Sequence, residues 1–203
     1  MAERNEKPEE WWQESRRDYA RAALNQEDLL EDPMEQFRGW LDVASSSEVM
    51  EPHAMTLATV NGAGIVSTRI VLLRQLDDSG FCFFTNYQSR KGGDLSEHPR
   101  AAVNFFWEPL ERQVNVRGLV EKVSEAASDA YFHSRPYGSQ IGAWTSEQSQ
   151  PVPDRTWLEA REAEFRTTYP EESDVPRPDH WGGYRLVPEE IEFWQGRPSK
   201  ATP

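Results

Sequence analysis

Met55-Thr56-Leu57-Ala58-Thr59-Val60 runs into Asn61-Gly62, and the chain resumes as Ile65-Val66-Ser67-Thr68-Arg69-Ile70-Val71-Leu72-Leu73-Arg74. Two strand-forming runs around an Asn-Gly pair are a strong hairpin signal. More strands follow. Residues 80–86 read as a third, and residues 101–107 and 113–123 as two more, joined by a turn at Glu108-Pro109. Short strands without regular strand–helix–strand alternation predict a mainly β fold with flanking helices, built as a small barrel.

Helices read outward from this block. Residues 9–24 carry Trp11, Trp12, Tyr19 and Ala23 at helical spacing. Asp32-Pro33 opens a second helix, with Asp as N-cap and Pro at the first position. Its Met34, Phe37, Trp40, Leu41 and Ala44 form one face for packing on a sheet. Ser89 caps a helix over 90–97, and Ser124 caps one over 125–134. Pro136-Tyr137-Gly138 breaks the latter, and a short helix follows through Ala143. Thr156-Trp157-Leu158-Glu159 fits a capping box for a helix to about Thr168. Residues 181–187 and 191–194 read as two short strands. Residues 1–30 are thus expected as an N-terminal helical arm and 31–203 as one domain.

Of 203 residues, 37% are apolar, so part of the length is arm or polar helix. No apolar run reaches the roughly 18 to 20 residues that span a bilayer, and no membrane partner is expected. The N-terminus lacks the apolar core of a signal peptide. Cys82 is the sole cysteine, which suits a reducing cytoplasm and an inert core thiol. The net charge of −13 argues against nucleic acid. The acid lies in the flanks: residues 1–51 hold 14 acids and 6 bases, residues 52–150 hold 10 and 9, and residues 151–203 hold 11 and 7. A site for an anion fits the balanced middle.

Three groups there could carry chemistry. Arg69 and Arg74 lie five apart, so a regular strand would point them to opposite faces. Arg90 and Lys91 occupy a first helical turn, where cations oppose the helix dipole and suit an external anion; solvent-facing bases are the plainer reading. Gln113, Asn115 and Arg117 share one strand face, which lines a site or meets water. Tyr131 and Arg135, four apart on a helix, place a ring beside a guanidinium, which suits a planar phosphorylated ligand; Arg135 could instead cap the helix end. His133 is off that face. No zinc spacing, HExxH or Walker loop occurs.

Taken together, residues 69–74, Phe84-Thr85-Asn86, Ser89-Arg90-Lys91, 110–114, 131–136, 139–144, Gln148-Ser149, Trp181-Gly182-Gly183 and 191–196 resemble the pyridoxamine 5′-phosphate oxidase family, in its order and spacing, from about Arg16 to Gly196. The resemblance implies an FMN-binding split β-barrel working as a homodimer, with FMN at the subunit interface. It implies that Arg69, Ile70, Leu72, Leu73, Arg74, Phe84, Thr85, Arg90, Lys91, Gln113, Gln148, Ser149 and Trp194 contact FMN. Arg74, Tyr131, Arg135 and Ser139 would hold the substrate, chiefly its phosphate. Arg16, Arg17 and Tyr19 match a segment that can cover it. The implied reaction oxidises pyridoxamine or pyridoxine 5′-phosphate to pyridoxal 5′-phosphate, with dioxygen as acceptor and hydrogen peroxide as product.

Two departures from the family pattern stand out. Arg74 replaces a frequent Lys, a planar fork for a point charge. The sequence given ends at Pro203, where the family continues with an Arg-Leu-His-Asp-Arg run and a closing strand pair; Lys200 falls at the first Arg. Missing strands would leave a barrel edge unpaired. The alternative reading is a non-catalytic FMN- or pyridoxal-phosphate-binding protein.

Overall fold

Seven antiparallel strands form one sheet in the computed structural model, which describes Tyr19 and residues 21–197. They are β1 (Ala54–Val60), β2 (Val66–Leu72), β3 (Gln75–Asp77), β4 (Gly80–Asn86), β5 (Arg100–Trp107), β6 (Arg112–Lys122) and β7 (Trp181–Gln195). The spatial order is β2-β1-β5-β6-β7-β4-β3. The two outermost strands, β2 and β3, are consecutive in the chain and separated only by Leu73-Arg74. So short a link between opposite rims requires the sheet to curl back on itself into a half-barrel. The corner is stitched on both sides: Leu73 N–H donates to His53 O (2.8 Å) and Arg74 N–H to Cys82 O (2.9 Å).

Alternation in the strands sets the core. Met55 and Leu57, Val103 and Phe105, and Val114 and Val116 face inward and are almost fully buried. Helix α1 (Pro33–Ser45) closes this face. Asp32 caps it by accepting from Met34 N–H at 2.7 Å. Phe37 packs against Phe81 (4.8 Å) and Phe105 (4.9 Å), and burial of such a ring contributes about 2–3 kcal/mol. Four more helices follow: α2 (Arg90–Glu97), α3 (Glu125–Ser134), α4 (Tyr137–Thr145) and α5 (Arg155–Thr168). Phe132, Ile141, Val175 and Trp181 form a second, smaller cluster under α3 and α4. α5 lies outside α4, where Trp144 meets Phe165 and Tyr169. No described helix is long and apolar enough to cross a membrane.

Several expectations are corrected. The helix expected over 9–24 lies mostly outside the described residues, and residues 21–24 are not helical; the following turn, Gln26–Asp28, is 3-10. The two short strands expected after residue 180 are one, β7, because Pro188 and Glu189 are absorbed by an irregularity. Arg117 pairs with Glu190 and Gly118 with Pro188, so the proline sits where its missing N–H breaks little of the ladder. Residues 181–183 of β7 pair with β4 alone, 184–186 lie between β4 and β6, and 187–195 pair with β6 alone among the described residues. The last helix is capped by Asp154, which accepts from Trp157 N–H at 2.8 Å, and Thr156 lies within its first turn.

Candidate active site

β2 is a rim strand that curls toward β4, and a cleft of about 780 Å³ opens along it. Because the cleft wraps over a rim, it draws on both faces of β2. Arg69 reaches in on the side of buried Leu57 and Thr59, and Ile70 on the exposed outer side.

The first cationic group comes from α2 and β2. Ser89 caps α2, and Gly92 lets its first turn press onto β4's end: a Cβ there would stand 1.9 Å from Tyr87 O. Lys91 is consequently buried, its Nζ donating to Gln148 Oε1 (2.6 Å), Thr85 Oγ1 (3.0 Å) and Ser89 Oγ (3.0 Å). All three partners are neutral. Burial, with Arg69 nearby, pushes its pKa down to about 8. Arg90 lines the same cleft from an exposed position. A buried ammonium answered only by neutral oxygens is arranged for an anion.

The second cationic group is Arg135 with Arg74. Arg135 lies over the Trp181 ring (4.5 Å from Cζ to the centroid), and its Nη1 is buried without a hydrogen-bond partner among the described residues. Burial lowers its pKa; Tyr131 opposes this and Arg74 adds to it. Tyr131 stacks on Phe84 with centroids 3.9 Å apart. The four-residue spacing puts Arg135 on the helix with Tyr131, but the structure follows the other reading, at the helix end. Arg135 is the C-cap residue, extended at φ −77°, ψ 147°, as the following Pro136 favours. Both nonetheless line the cleft. Likewise Arg74 lies beyond the end of β2, so strand alternation does not separate it from Arg69.

Of the residues singled out in the sequence, the cleft brings together Arg69, Ile70, Leu72, Arg74, Phe84, Thr85, Arg90, Lys91, Gln148 and Ser149 with Tyr131, Arg135 and Ser139. Ser149 is held at φ 73°, a conformation unusual outside glycine. Four others are elsewhere. Leu73 is buried in the main core. Gln113 and Trp194 pair across β6 and β7 away from this cleft, with Trp194 40% exposed. Tyr19 meets Trp194 edge-on at 5.5 Å. Arg16, Arg17 and Lys200 lie outside the described residues. Trp181, Asn86 and Ser146 also line the cleft without having been assigned a role. Trp181 stood in a quoted motif, but its spacing alone could not show it parallel to Tyr131, 8° between planes.

Residues 41–169 match the family described as pyridoxamine 5′-phosphate oxidase. This chain belongs to that family. Residues 181–201 match the pyridoxine 5′-phosphate oxidase C-terminal dimerisation region. The chain is 62% identical over 185 residues to a pyridoxine/pyridoxamine 5′-phosphate oxidase of Ralstonia pickettii (strain 12J), covering 91% of this chain and 86% of that one. It is 58% identical over 185 residues to one from Bordetella pertussis (strain Tohama I), covering 91% of this chain and 87% of that one. Among solved structures it is similar to PhzG from Burkholderia lata 383 in complex with tetrahydrophenazine-1-carboxylic acid, with TM-score 0.82, 30% identity and 88% of each chain covered. A pyridoxamine 5′-phosphate oxidase-related, FMN binding protein from Nostoc punctiforme PCC 73102 shares the fold, with TM-score 0.62 at 18% identity over 78% of this chain and 83% of that one. The curled sheet is a split β-barrel of this family.

Proposed function

We propose that this chain oxidises pyridoxamine 5′-phosphate or pyridoxine 5′-phosphate to pyridoxal 5′-phosphate, with FMN as cofactor and dioxygen as acceptor. The observation that carries this is the pairing, in one cleft, of a buried Lys91 with only neutral partners and an Arg135 with an unsatisfied buried Nη1. Two phosphorylated, aromatic molecules fit such a cleft. Its volume lies in the ordinary range for ligand sites.

In this reading Lys91, Arg90 and Arg69 hold the FMN phosphate, and Thr85, Gln148 and Ser149 add polar contacts. Arg135, Arg74 and Ser139 hold the substrate phosphate, and Tyr131 orients the substrate ring. FMN held by these residues would supply a two-electron acceptor for the substrate hydride, with dioxygen as the final acceptor and hydrogen peroxide as product. The protein's own part is orientation and charge, since no carboxylate or imidazole is among the described residues that line the cleft.

The enzyme is a homodimer in this proposal. Gln113 and Trp194, absent from the chain's own cleft, lie on the outer sheet face beside exposed Phe106, so a second copy can bring them to the cofactor. The match of residues 181–201 to a dimerisation region supports this. Tyr19, packed on Trp194, would arrive with it, and Arg16 and Arg17 would follow to cover the substrate. We place the enzyme in the cytoplasm.

The test is to add FMN and pyridoxine 5′-phosphate and follow pyridoxal phosphate by absorbance, then to repeat anaerobically and watch the flavin bleach. Bleaching followed by peroxide on readmitting air is expected. Bound flavin that substrate leaves oxidised would favour the non-catalytic binding protein.

A further inference from the structure

We infer that Asp94 and Thr59 are positioning residues that set the Arg69 guanidinium for the anionic group of the cofactor. The inference rests on the reading of the cleft as an FMN site. Thr59 is the relay: its hydroxyl accepts from Arg69 Nη1 at 2.6 Å and donates to Asp94 Oδ2 at 2.6 Å. Arg69 Nη1 also donates to Leu57 O at 3.3 Å, and Nη2 stands 3.8 Å from Asp94 Oδ2. Asp94 and Thr59 are buried, at 6% and 2% exposure, so water does not compete for these bonds.

The arrangement joins two elements. α2 opens with the cations Arg90 and Lys91, and one turn later its Asp94 grips a third cation delivered by β2. At the far end of the helix Glu97 Oε2 accepts from Gly62 N–H at 2.9 Å, which fastens α2 to the tip of the β1–β2 hairpin. The helix and the hairpin are therefore tied at two points, and the fork of Arg69 is fixed on one side. Arg69 lines the cleft together with Arg90 and Lys91. A guanidinium held this way meets a phosphate without first losing side-chain freedom.

A carboxylate beside an anion site can instead serve only to offset charge. The two roles predict opposite signs. If Asp94 merely offsets charge, Asp94→Asn makes the site more positive and tightens FMN. If it positions Arg69, the same change loosens FMN, because amide and hydroxyl no longer hold the fork as an ion pair does.

The experiment titrates FMN, riboflavin and inorganic phosphate against wild-type protein, Asp94→Asn, Asp94→Glu and Thr59→Val, each also in an Arg69→Met background, with thermal unfolding of the apo chain as a control. Asp94→Asn and Thr59→Val are expected to weaken FMN about tenfold, the loss typical of one charge-assisted hydrogen bond. Riboflavin, which lacks the phosphate, stays unchanged, Asp94→Glu restores most of the affinity, and both effects vanish in the Arg69→Met background. FMN bound as tightly or more tightly by Asp94→Asn, or an equal loss with and without Arg69, overturns the proposal. Should Asp94→Asn not fold, Thr59→Val carries the same comparison. A wild-type chain that binds neither FMN nor phosphate overturns the cofactor reading together with this one. Normal wild-type binding beside a silent Asp94→Asn overturns this one alone.

Discussion

Lys91 Nζ stands 2.6 Å from Gln148 Oε1, joining the first turn of α2 to the loop that follows α4. Both residues line the cleft, and the bond holds a cation that has no carboxylate partner among the described residues. Its pKa of about 8 makes the site sensitive to pH. FMN binding is expected to hold steady from about pH 7, where the phosphate monoester is mostly dianionic, to about pH 8 and to weaken above it, as the free site loses the charge that the phosphate needs. In the apo chain the sign is reversed. The folded-state pKa lies below the ordinary 10.5, so the folded form binds fewer protons than the unfolded form between about 8 and 10.5, and stability rises with pH across that window. Lys91→Met should therefore raise the apo melting temperature at pH 7 while weakening FMN binding, which Arg90 and Arg69 still support, and removing its alkaline limb. A variant that melts lower and keeps the limb would contradict both halves.

Arg135→Ala should separate substrate from cofactor. If Arg135 holds the substrate phosphate as proposed, its loss should cost about 100-fold in KM, while FMN affinity should change by less than about threefold because the proposed FMN contacts are elsewhere. Steady-state kinetics and flavin titration on the same preparation measure both. Equal losses would remove the substrate-phosphate role.

Gly92→Ala tests the close approach that buries Lys91. The added methyl would stand 1.9 Å from Tyr87 O, a backbone atom with little room to move. Overpacking of this kind costs about 1–3 kcal/mol, and the displaced helix should take FMN affinity with it. Urea unfolding of the apo protein checks the first effect. Unchanged stability would mean that α2 does not sit where its first turn requires.

Phe106→Glu tests the homodimer. Phe106 is 57% exposed opposite Gln113 on the outer face. A charge there should shift the protein to monomer in sedimentation velocity and weaken FMN, although Phe106 is outside the cleft. Trp194→Ala should also weaken FMN. A dimer that tolerates Phe106→Glu would place the interface on another face.

Local chemistry made much of the fold readable. Gly80–Asn86 and Arg90–Glu97 have the bounds that the apolar run and the Ser89 cap imply. What failed were places where two local signals compete. Asp154 and Thr156 both offer a cap, and only the chain's direction into the helix decides between them. Pro188 reads as a break, yet an irregularity opposite Arg117 and Gly118 accommodates it. At the site, motif spacing gathered the cleft residues, but alternation tells only that Gln113 shares a face with Asn115. Nothing local says that this face looks away from the cleft. The Thr59–Asp94–Arg69 relay was illegible for the same reason: it depends on α2 packing against β1, a contact between residues 35 apart.

The position of β7 has a consequence for how the chain acquires its structure. This last described strand is the piece that joins β2-β1-β5-β6 to β4-β3. A nascent chain that has not yet released residues 181–195 holds two sheet fragments linked, strand to strand, only through the Leu73-Arg74 corner, each with a bare edge. The edge of β4 that carries Phe84 and Thr85 is among those left open. The half-barrel can therefore close only after residues 181–195 have left the ribosome, and a competent cleft waits on the long-range pairing of β7.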